Sequence, residues 1–229
     1  MKKLIIIPAY NEGENIEKTV QMIKEDAPDF DYVIINDCST DNTKEVCEAK
    51  GYNLLNLPIN LGIGGAVQTG FKYALKYNYD LVVQVDGDGQ HDPKFLKEMV
   101  KTIEEEGCDV VIGSRFINKE GYQSSGLRRV GIKYFTLLIR LITGTKITDP
   151  TSGLRMIRRG VIEMFAEDYP KDYPEPESIV AVLRQKKSVI EIPVVMMPRT
   201  RGVSSISIRN SVYYMIKVSL AIIFERIRR

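Results

Sequence analysis

The chain predicts an α/β fold: a mostly parallel sheet flanked by helices, followed by a C-terminal amphipathic helix. Three observations carry this. Short apolar, β-branched runs alternate with segments of helical spacing through the first half. Each run ends in a polar or glycine-containing loop, as strands do where an open parallel sheet binds ligands. The length of 229 residues, 44% of them hydrophobic, suits one large domain with a substantial core.

Leu4–Ile7, Tyr32–Ile35, Asn53–Leu57, Leu81–Val85 and Val110–Ile112 read as strands, being short runs of strand-forming residues bounded by turn formers. Between them, 13–26, 41–50, 63–77 and 93–106 have helical spacing. Ser39 and Asp41 offer N-cap oxygens to one of these helices, and Asp92-Pro93 offers a cap and an N1 proline to another. Residues 115–130 form a polar stretch leading into an amphipathic helix at 130–143. Thr148–Arg155 reads as a turn-rich segment, Tyr173–Glu177 as a second one that opens a helix, and Ile190–Met197 as the last strand. From Ile206 to Arg229, Val212, Tyr213, Ile216, Leu220, Ile223, Phe224 and Ile227 recur at helical spacing beside Arg209, Lys217, Arg226, Arg228 and Arg229. Such a helix packs on its own domain, contacts a partner, or lies in a membrane interface.

Lys and Arg total 32 against 30 Asp and Glu, a formal charge of +2, so no global field favours nucleic acid. Cys38, Cys47 and Cys108 lack metal-ligand spacing and read as reduced thiols. A single histidine, His91, gives no basis for a zinc site or a Ser/His/Asp triad. No apolar run approaches the roughly 20 residues of a membrane span. The expected location is cytoplasmic, peripheral at the inner face of the cell membrane.

Chemistry concentrates where the strands end. After the fourth strand, Asp86-Gly-Asp88-Gly-Gln90-His91 places three oxygen-bearing side chains at alternate positions, so 86, 88 and 90 can face one way. Hard oxygens of this kind suit Mg²⁺ or Mn²⁺, and the glycines admit a diphosphate to the backbone. His91 beside them reads as support for the loop. After the first strand, Pro8-Ala9-Tyr10-Asn11-Glu12 offers a rigid turn, an aromatic face and a carboxylate. A base could stack there while Glu12 or Asp37 accepts from its N–H or from a ribose hydroxyl. Asn60–Gly65 looks like a dinucleotide fingerprint but has Val67 where a third glycine belongs.

Taken together, Pro8–Glu12, Asn36–Thr43, Asn60–Ala66, Asp86–Pro93, Gly113–Arg115 and Asp149–Gly153 resemble family 2 glycosyltransferases of the GT-A fold, and most of all the dolichyl- or polyprenyl-phosphate sugar synthases. The resemblance implies that Pro8, Ala9, Tyr10, Glu12, Asp37 and Gly62 hold a nucleotide sugar, with Asp86 reaching the nucleotide and donor sugar. It implies a divalent cation, Mg²⁺ or Mn²⁺, on Asp88 and Gln90. Arg115, Arg128 or Arg129, and Arg199 with Ser204 would form the acceptor pocket, and Asp149, Ser152 and Gly153 the acceptor-side loop. Asn36 departs from the first Asp usual in the family, and Ser205 from a lysine common in its eukaryotic members.

On this reading residues 1–118 bind the nucleotide sugar, 119–205 face the acceptor, and 206–229 contact membrane or partner, all within one domain. The expected reaction is metal-dependent, inverting transfer of a hexose from a UDP-sugar rather than a GDP-sugar to polyprenyl phosphate. An acceptor phosphate is already anionic and needs arginines rather than a base. A saccharide or protein hydroxyl would need one, for which Glu175 and Glu177 are the candidates; a non-catalytic nucleotide-sugar-binding subunit is the remaining alternative. A membrane surface, a small integral-membrane protein and a second copy of the chain are the expected partners.

Overall fold

The computed structural model describes residues 1–121, 126–197 and 208–227. Seven strands form one sheet: β1 (Lys3–Ala9), β2 (Asp31–Asn36), β3 (Leu54–Asn56), β4 (Leu81–Gln84), β5 (Val110–Ser114), β6 (Arg155–Arg158) and β7 (Val189–Pro193), in the spatial order β3-β2-β1-β4-β6-β5-β7. All neighbours pair in parallel except β6, which runs antiparallel to both β4 and β5. The mostly parallel α/β expectation therefore holds, with one reversed strand inserted near the centre.

The alternation of the strands divides the core into two layers. Leu4, Ile6, Val33 and Ile35 face one side, where they meet α3 (Gly62–Lys76), α5 (Gly126–Thr143), α6 (Arg159–Glu167), α7 (Pro174–Arg184) and α8 (Ile208–Ile227). Ile5, Ile7, Ile34 and Val83 face the other, against α1 (Ile16–Asp26), α2 (Thr43–Ala49) and α4 (Leu96–Glu106). A strand covered on both faces must be apolar at successive positions, and Leu4 to Ile7 are all fully buried. Asp92 does cap the turn leading into α4, accepting from the Lys94 N–H at 3.0 Å, and Asp41 accepts from the Thr43 N–H at 2.9 Å where α2 starts.

Three elements differ from expectation. The end of the 148–155 segment becomes β6, and α6 follows it directly. β6 is only four residues, Arg-Met-Ile-Arg, so its two apolar side chains fall short of a strand signal, though both are buried. The last strand stops at Pro193; beyond it Met196 makes single bridges to His91 and Gly121. The helix expected from 130 begins at Gly126.

α8 packs on the domain through Val218 and Ile222, both buried, and through ion pairs from Arg184 to Glu225 at 2.9 Å and from Lys217 to Asp172. α3 is held at its start: the Gly64 N–H donates to the Lys171 carbonyl at 3.0 Å, and a Cβ on Gly64 would lie 2.0 Å from the Pro170 carbonyl oxygen. Backbone cannot yield as a flexible side chain can. Gly64→Ala is expected to destabilise the protein by about 2–3 kcal/mol, the upper range for overpacking, read as a lowered urea midpoint at unchanged m-value.

Candidate active site

Strand register builds the site. Ala9 pairs with Asn36, the Asp37 N–H donates to the Ala9 carbonyl, and the Gly87 N–H donates to the Pro8 carbonyl, so the ends of β1, β2 and β4 lie side by side. Gln84 at the end of β4 pairs with Arg155 at the start of β6, and Arg155 pairs with Ile112 of β5. Because β6 is reversed, the loop entering it reaches the same sheet edge that the other strands leave. That reversal brings Gly153 up to Asp86 and sets Asp149 and Ser152, earlier in the same loop, against the end of β5.

The nucleotide side is walled by short polar contacts. Asp37, buried, accepts from the Leu61 N–H at 2.7 Å, and its own carbonyl accepts from Asn60 Nδ2 at 3.1 Å. The carboxylate thus anchors the first turn of α3, and burial raises its pKa against the pull of the Leu61 and Gly62 amides. Glu12 accepts from Asn15 Nδ2 at 2.7 Å and receives the Asn15 and Ile16 N–H groups on its carbonyl, where α1 begins. Pro8 and Ala9 are buried, whereas the Tyr10 ring is 49% exposed beside them and open to stacking. Gly62 has a φ of +74° at the turn into α3.

Asp86 stands at the centre, accepting from Gln84 Nε2 at 2.9 Å. His91 is 3% exposed, accepts from the Asp86 N–H at 3.1 Å through Nδ1, and holds Nε2 3.8 Å from the Asp86 carboxylate. With Nδ1 accepting, a neutral ring carries its proton on Nε2, which is buried without a hydrogen-bond partner among the described residues. Support of the loop, as the sequence suggested, is what this geometry provides. Asp88 accepts from the Gln90 N–H at 3.0 Å, a turn that Gly89 makes possible with φ at +72°. Gln90 Nε2 donates to the Met197 carbonyl at 3.1 Å, so Oε1 is the amide atom left for a cation. Two carboxylates and an amide oxygen fit a hard divalent ion that completes its shell with phosphate oxygens and water. Among the described residues no group of three or more His, Cys, Asp or Glu could hold a metal ion by itself, so the amide oxygen of Gln90 is needed to complete this donor set.

The 148–153 loop is held by a chain of alternating charges. Glu191 of β7 accepts from the Thr148 and Asp149 N–H groups at 2.7 and 2.8 Å. Asp149, 0% exposed, takes a fork from Arg115, with Nε at 2.6 Å and Nη2 at 2.7 Å. Arg115 Nη2 also donates to Thr151 Oγ1 at 2.9 Å. Much of the guanidinium is therefore committed to the loop it was expected to accompany. Ser152 Oγ donates to the Gly113 carbonyl at 2.6 Å, and a Cβ on Gly153 would stand 3.0 Å from Asp86 Oδ2.

Glu175 and Glu177 occupy the first turn of α7, both half-buried. Burial raises the Glu175 pKa; the Arg155 cation opposes this, while the negative charge of Asp86 adds to it. Arg129 is exposed near the start of α5, the side chain of Arg128 and the residues Arg199 and Ser204 lie outside those described. Sequence reasoning missed Gln84, Glu191 and Arg155. Only the last carried a signal, an arginine closing the Thr148–Arg155 segment.

The model of the family described as glycosyl transferase family 2 matches residues 4–165. The chain belongs to that family. It is a glycosyltransferase, and its fold is GT-A-like. An undecaprenyl-phosphate mannosyltransferase of Micrococcus luteus is 29% identical over 216 residues, covering 90% of this chain and 88% of the relative. A polyprenol monophosphomannose synthase of Mycolicibacterium smegmatis is 28% identical over 228 residues, covering 95% and 86%. Among solved structures, glucosyl-3-phosphoglycerate synthase from Mycobacterium tuberculosis, in complex with Mn²⁺, uridine diphosphate and glucosyl-3-phosphoglycerate, superposes with a TM-score of 0.72 at 19% identity, covering 98% of this chain and 79% of that one. At that identity the likeness bears on the fold.

Two expectations follow for this glycosyltransferase. Asp149→Asn leaves Arg115 poorly paired at a buried position and is expected to cost about 3–5 kcal/mol, measured by chemical denaturation. Glu175 has a raised pKa in the folded state, so its ionisation opposes folding as pH climbs from the ordinary carboxylate range through the raised value. Glu175→Gln is expected to unfold at a higher temperature than wild type at neutral pH, with the gap closing below the ordinary glutamate pKa; a gap independent of pH would contradict this.

Proposed function

We propose that this glycosyltransferase moves a hexose, with inversion, from a nucleotide sugar to polyprenyl phosphate at the inner face of the cell membrane, and that UDP rather than GDP carries the sugar. One observation carries the reading: the loop read as acceptor-side passes so close to Asp86 that a Cβ on Gly153 would stand 3.0 Å from its carboxylate. Donor and acceptor groups thus share one wall. The names of the two relatives support polyprenyl phosphate as acceptor, and the Mn²⁺ and uridine diphosphate in the mycobacterial synthase support a divalent cation and a uridine nucleotide.

Asp88 and Gln90, beside Asp86, would hold the cation, Mg²⁺ or Mn²⁺, which when bound neutralises the charge developing on the departing diphosphate. Tyr10 stacks the base against Pro8 and Ala9, with Asp37, Glu12 and Gly62 shaping the pocket behind it. Asp86 orients the donor sugar while Gln84 and His91 hold Asp86. Arg115, fixed by Asp149, presents positive charge toward the acceptor phosphate, joined by Arg128 or Arg129 and by Arg199 with Ser204. The phosphate oxygen is already anionic and attacks the anomeric carbon from the side opposite the leaving group.

No helix among the described residues is long and apolar enough to cross a membrane. The α5 and α8 helices nevertheless adjoin, with Tyr134 hydrogen-bonded to Ser219 at 2.9 Å. Val130, Tyr134, Leu137 and Leu141 are exposed on the first, and Ile216, Leu220, Ile223 and Phe224 on the second. This double stripe supports docking on the lipid that carries the acceptor; a second copy or a small integral-membrane protein would compete for the same face. A second reading, with a hydroxyl acceptor, draws on Glu175, whose raised pKa beside Asp86 suits a base.

The test uses purified protein, Mn²⁺ or Mg²⁺, UDP- and GDP-sugars and a short polyprenyl phosphate, with transfer followed by chromatography. Asp88→Ala is expected to lower transfer by on the order of 10²–10³-fold, the cost of removing one electrostatic stabiliser. Product on a saccharide hydroxyl that vanishes in Glu175→Gln or Glu177→Gln, with none on the lipid phosphate, would establish the second reading. Replacing Leu137 and Phe224 together by Asp is expected to release the protein from sedimenting anionic vesicles while leaving UDP affinity intact.

A further inference from the structure

We propose that Arg155 is a positioning residue for transfer: one guanidinium grips both the acceptor-side loop and the first turn of α7, and so sets where each stands relative to Asp86. The inference rests on the reading of 149–153 as the acceptor-side loop. Arg155 Nε donates to the Ser152 carbonyl at 2.7 Å and Nη2 to the Pro150 carbonyl at 2.9 Å. Nη1 donates to the Glu175 carbonyl at 2.6 Å and to Ser178 Oγ at 2.8 Å. Ser178 Oγ in turn donates to the Glu175 carbonyl at 3.1 Å. The planar fork therefore fixes the angle between two elements that share no strand.

Arg155 is itself anchored, since its backbone sits in register with Gln84 on one side and Ile112 on the other. Two short routes lead from it to Asp86. Gln84 donates to the Asp86 carboxylate at 2.9 Å, and the gripped loop continues to Gly153, which abuts the same carboxylate. Arg155 is only 8% exposed. Burying a guanidinium is costly, and an apolar side chain of similar volume would pack there without that cost. An apolar side chain could not bind three carbonyls pointing in from a loop and a helix. Lysine is a poor substitute as well, because its three donors radiate from one atom and cannot span acceptors on both sides of a fork. Burial lowers the Arg155 pKa, and the neighbouring Tyr169, Glu175, Asp149 and Glu191 oppose that shift.

The experiment compares Arg155→Lys, Arg155→Met and Ser178→Ala with wild type, measuring unfolding temperature, UDP affinity with Mn²⁺ by calorimetry, and kcat and KM for polyprenyl phosphate. UDP affinity is expected to stay within about twofold. Misplacement of reacting groups by about 1 Å costs on the order of 10²-fold, so kcat is expected to fall by about that factor in Arg155→Met, by about tenfold in Arg155→Lys and by a few-fold in Ser178→Ala. Wild-type kcat and KM in Arg155→Lys would overturn the proposal. So would UDP affinity and kcat declining together across the series, in step with unfolding temperature, since that is the mark of a purely structural residue. Should Arg155→Met fail to fold, the lysine and Ser178 variants decide. If wild type transfers to a hydroxyl rather than to polyprenyl phosphate, the acceptor assignment fails on its own, and the same kcat ratios on that acceptor still test the grip on α7.

Discussion

The pairing of one reversed strand between two parallel neighbours governs this molecule. A fully parallel sheet would send the chain entering β6 to the far edge, away from the nucleotide loops. Reversal turns the amino end of β6 toward the carboxyl ends of β4 and β5, through Gln84–Arg155 and Arg155–Ile112. Everything on the acceptor side then follows from hydrogen-bond register: Ser152 reaches the Gly113 carbonyl, Asp149 reaches Arg115, and Gly153 comes to rest on Asp86. A slip of one residue would turn the buried Met156 and Ile157 to the wrong layers and undo all three contacts.

Electrostatics then keep the assembled loop in place. Glu191 binds its leading amides, Arg115 neutralises Asp149, and Arg155 binds its trailing carbonyls. Each charge borders its opposite or a backbone dipole of the right sign, which is how buried ions are tolerated. The exception is Glu175, whose pKa burial raises against the opposing charge of Arg155, so its ionisation works against folding.

The donor half was legible because its signals are local. A strand buried on both faces is a continuous apolar run, and β1, β2, β4 and β5 each announce themselves this way before ending in a recognisable loop. Alternation along an extended chain predicts Asp86, Asp88 and Gln90 on one side; instead β4 ends at Gln84 and residues 87–89 form a turn, with Gly89 at a φ of +72°. The acceptor half was not legible to the same degree. Two apolar residues flanked by arginines do not read as a central strand, and without β6 nothing marks Arg155 as more than the end of a turn. Glu191 resembles any polar residue on a half-buried strand until its two amide partners are known. Asp37 and Arg115 were chosen as ligand-binding groups, and the structure shows both bracing their own loops, through the Leu61 N–H and through Asp149, a duty that residue type cannot disclose.

The missing side chain at Gly153 also limits how enzymes of this design can diversify. A Cβ added there would stand 3.0 Å from the Asp86 carboxylate and 3.2 Å from Gln84 Nε2, so one of those two side chains would have to give way. Selectivity for a different sugar or acceptor therefore has little to gain from that position. On the proposed assignment, a change of substrate would have to come from other side chains at the strand ends, while this seam stays bare.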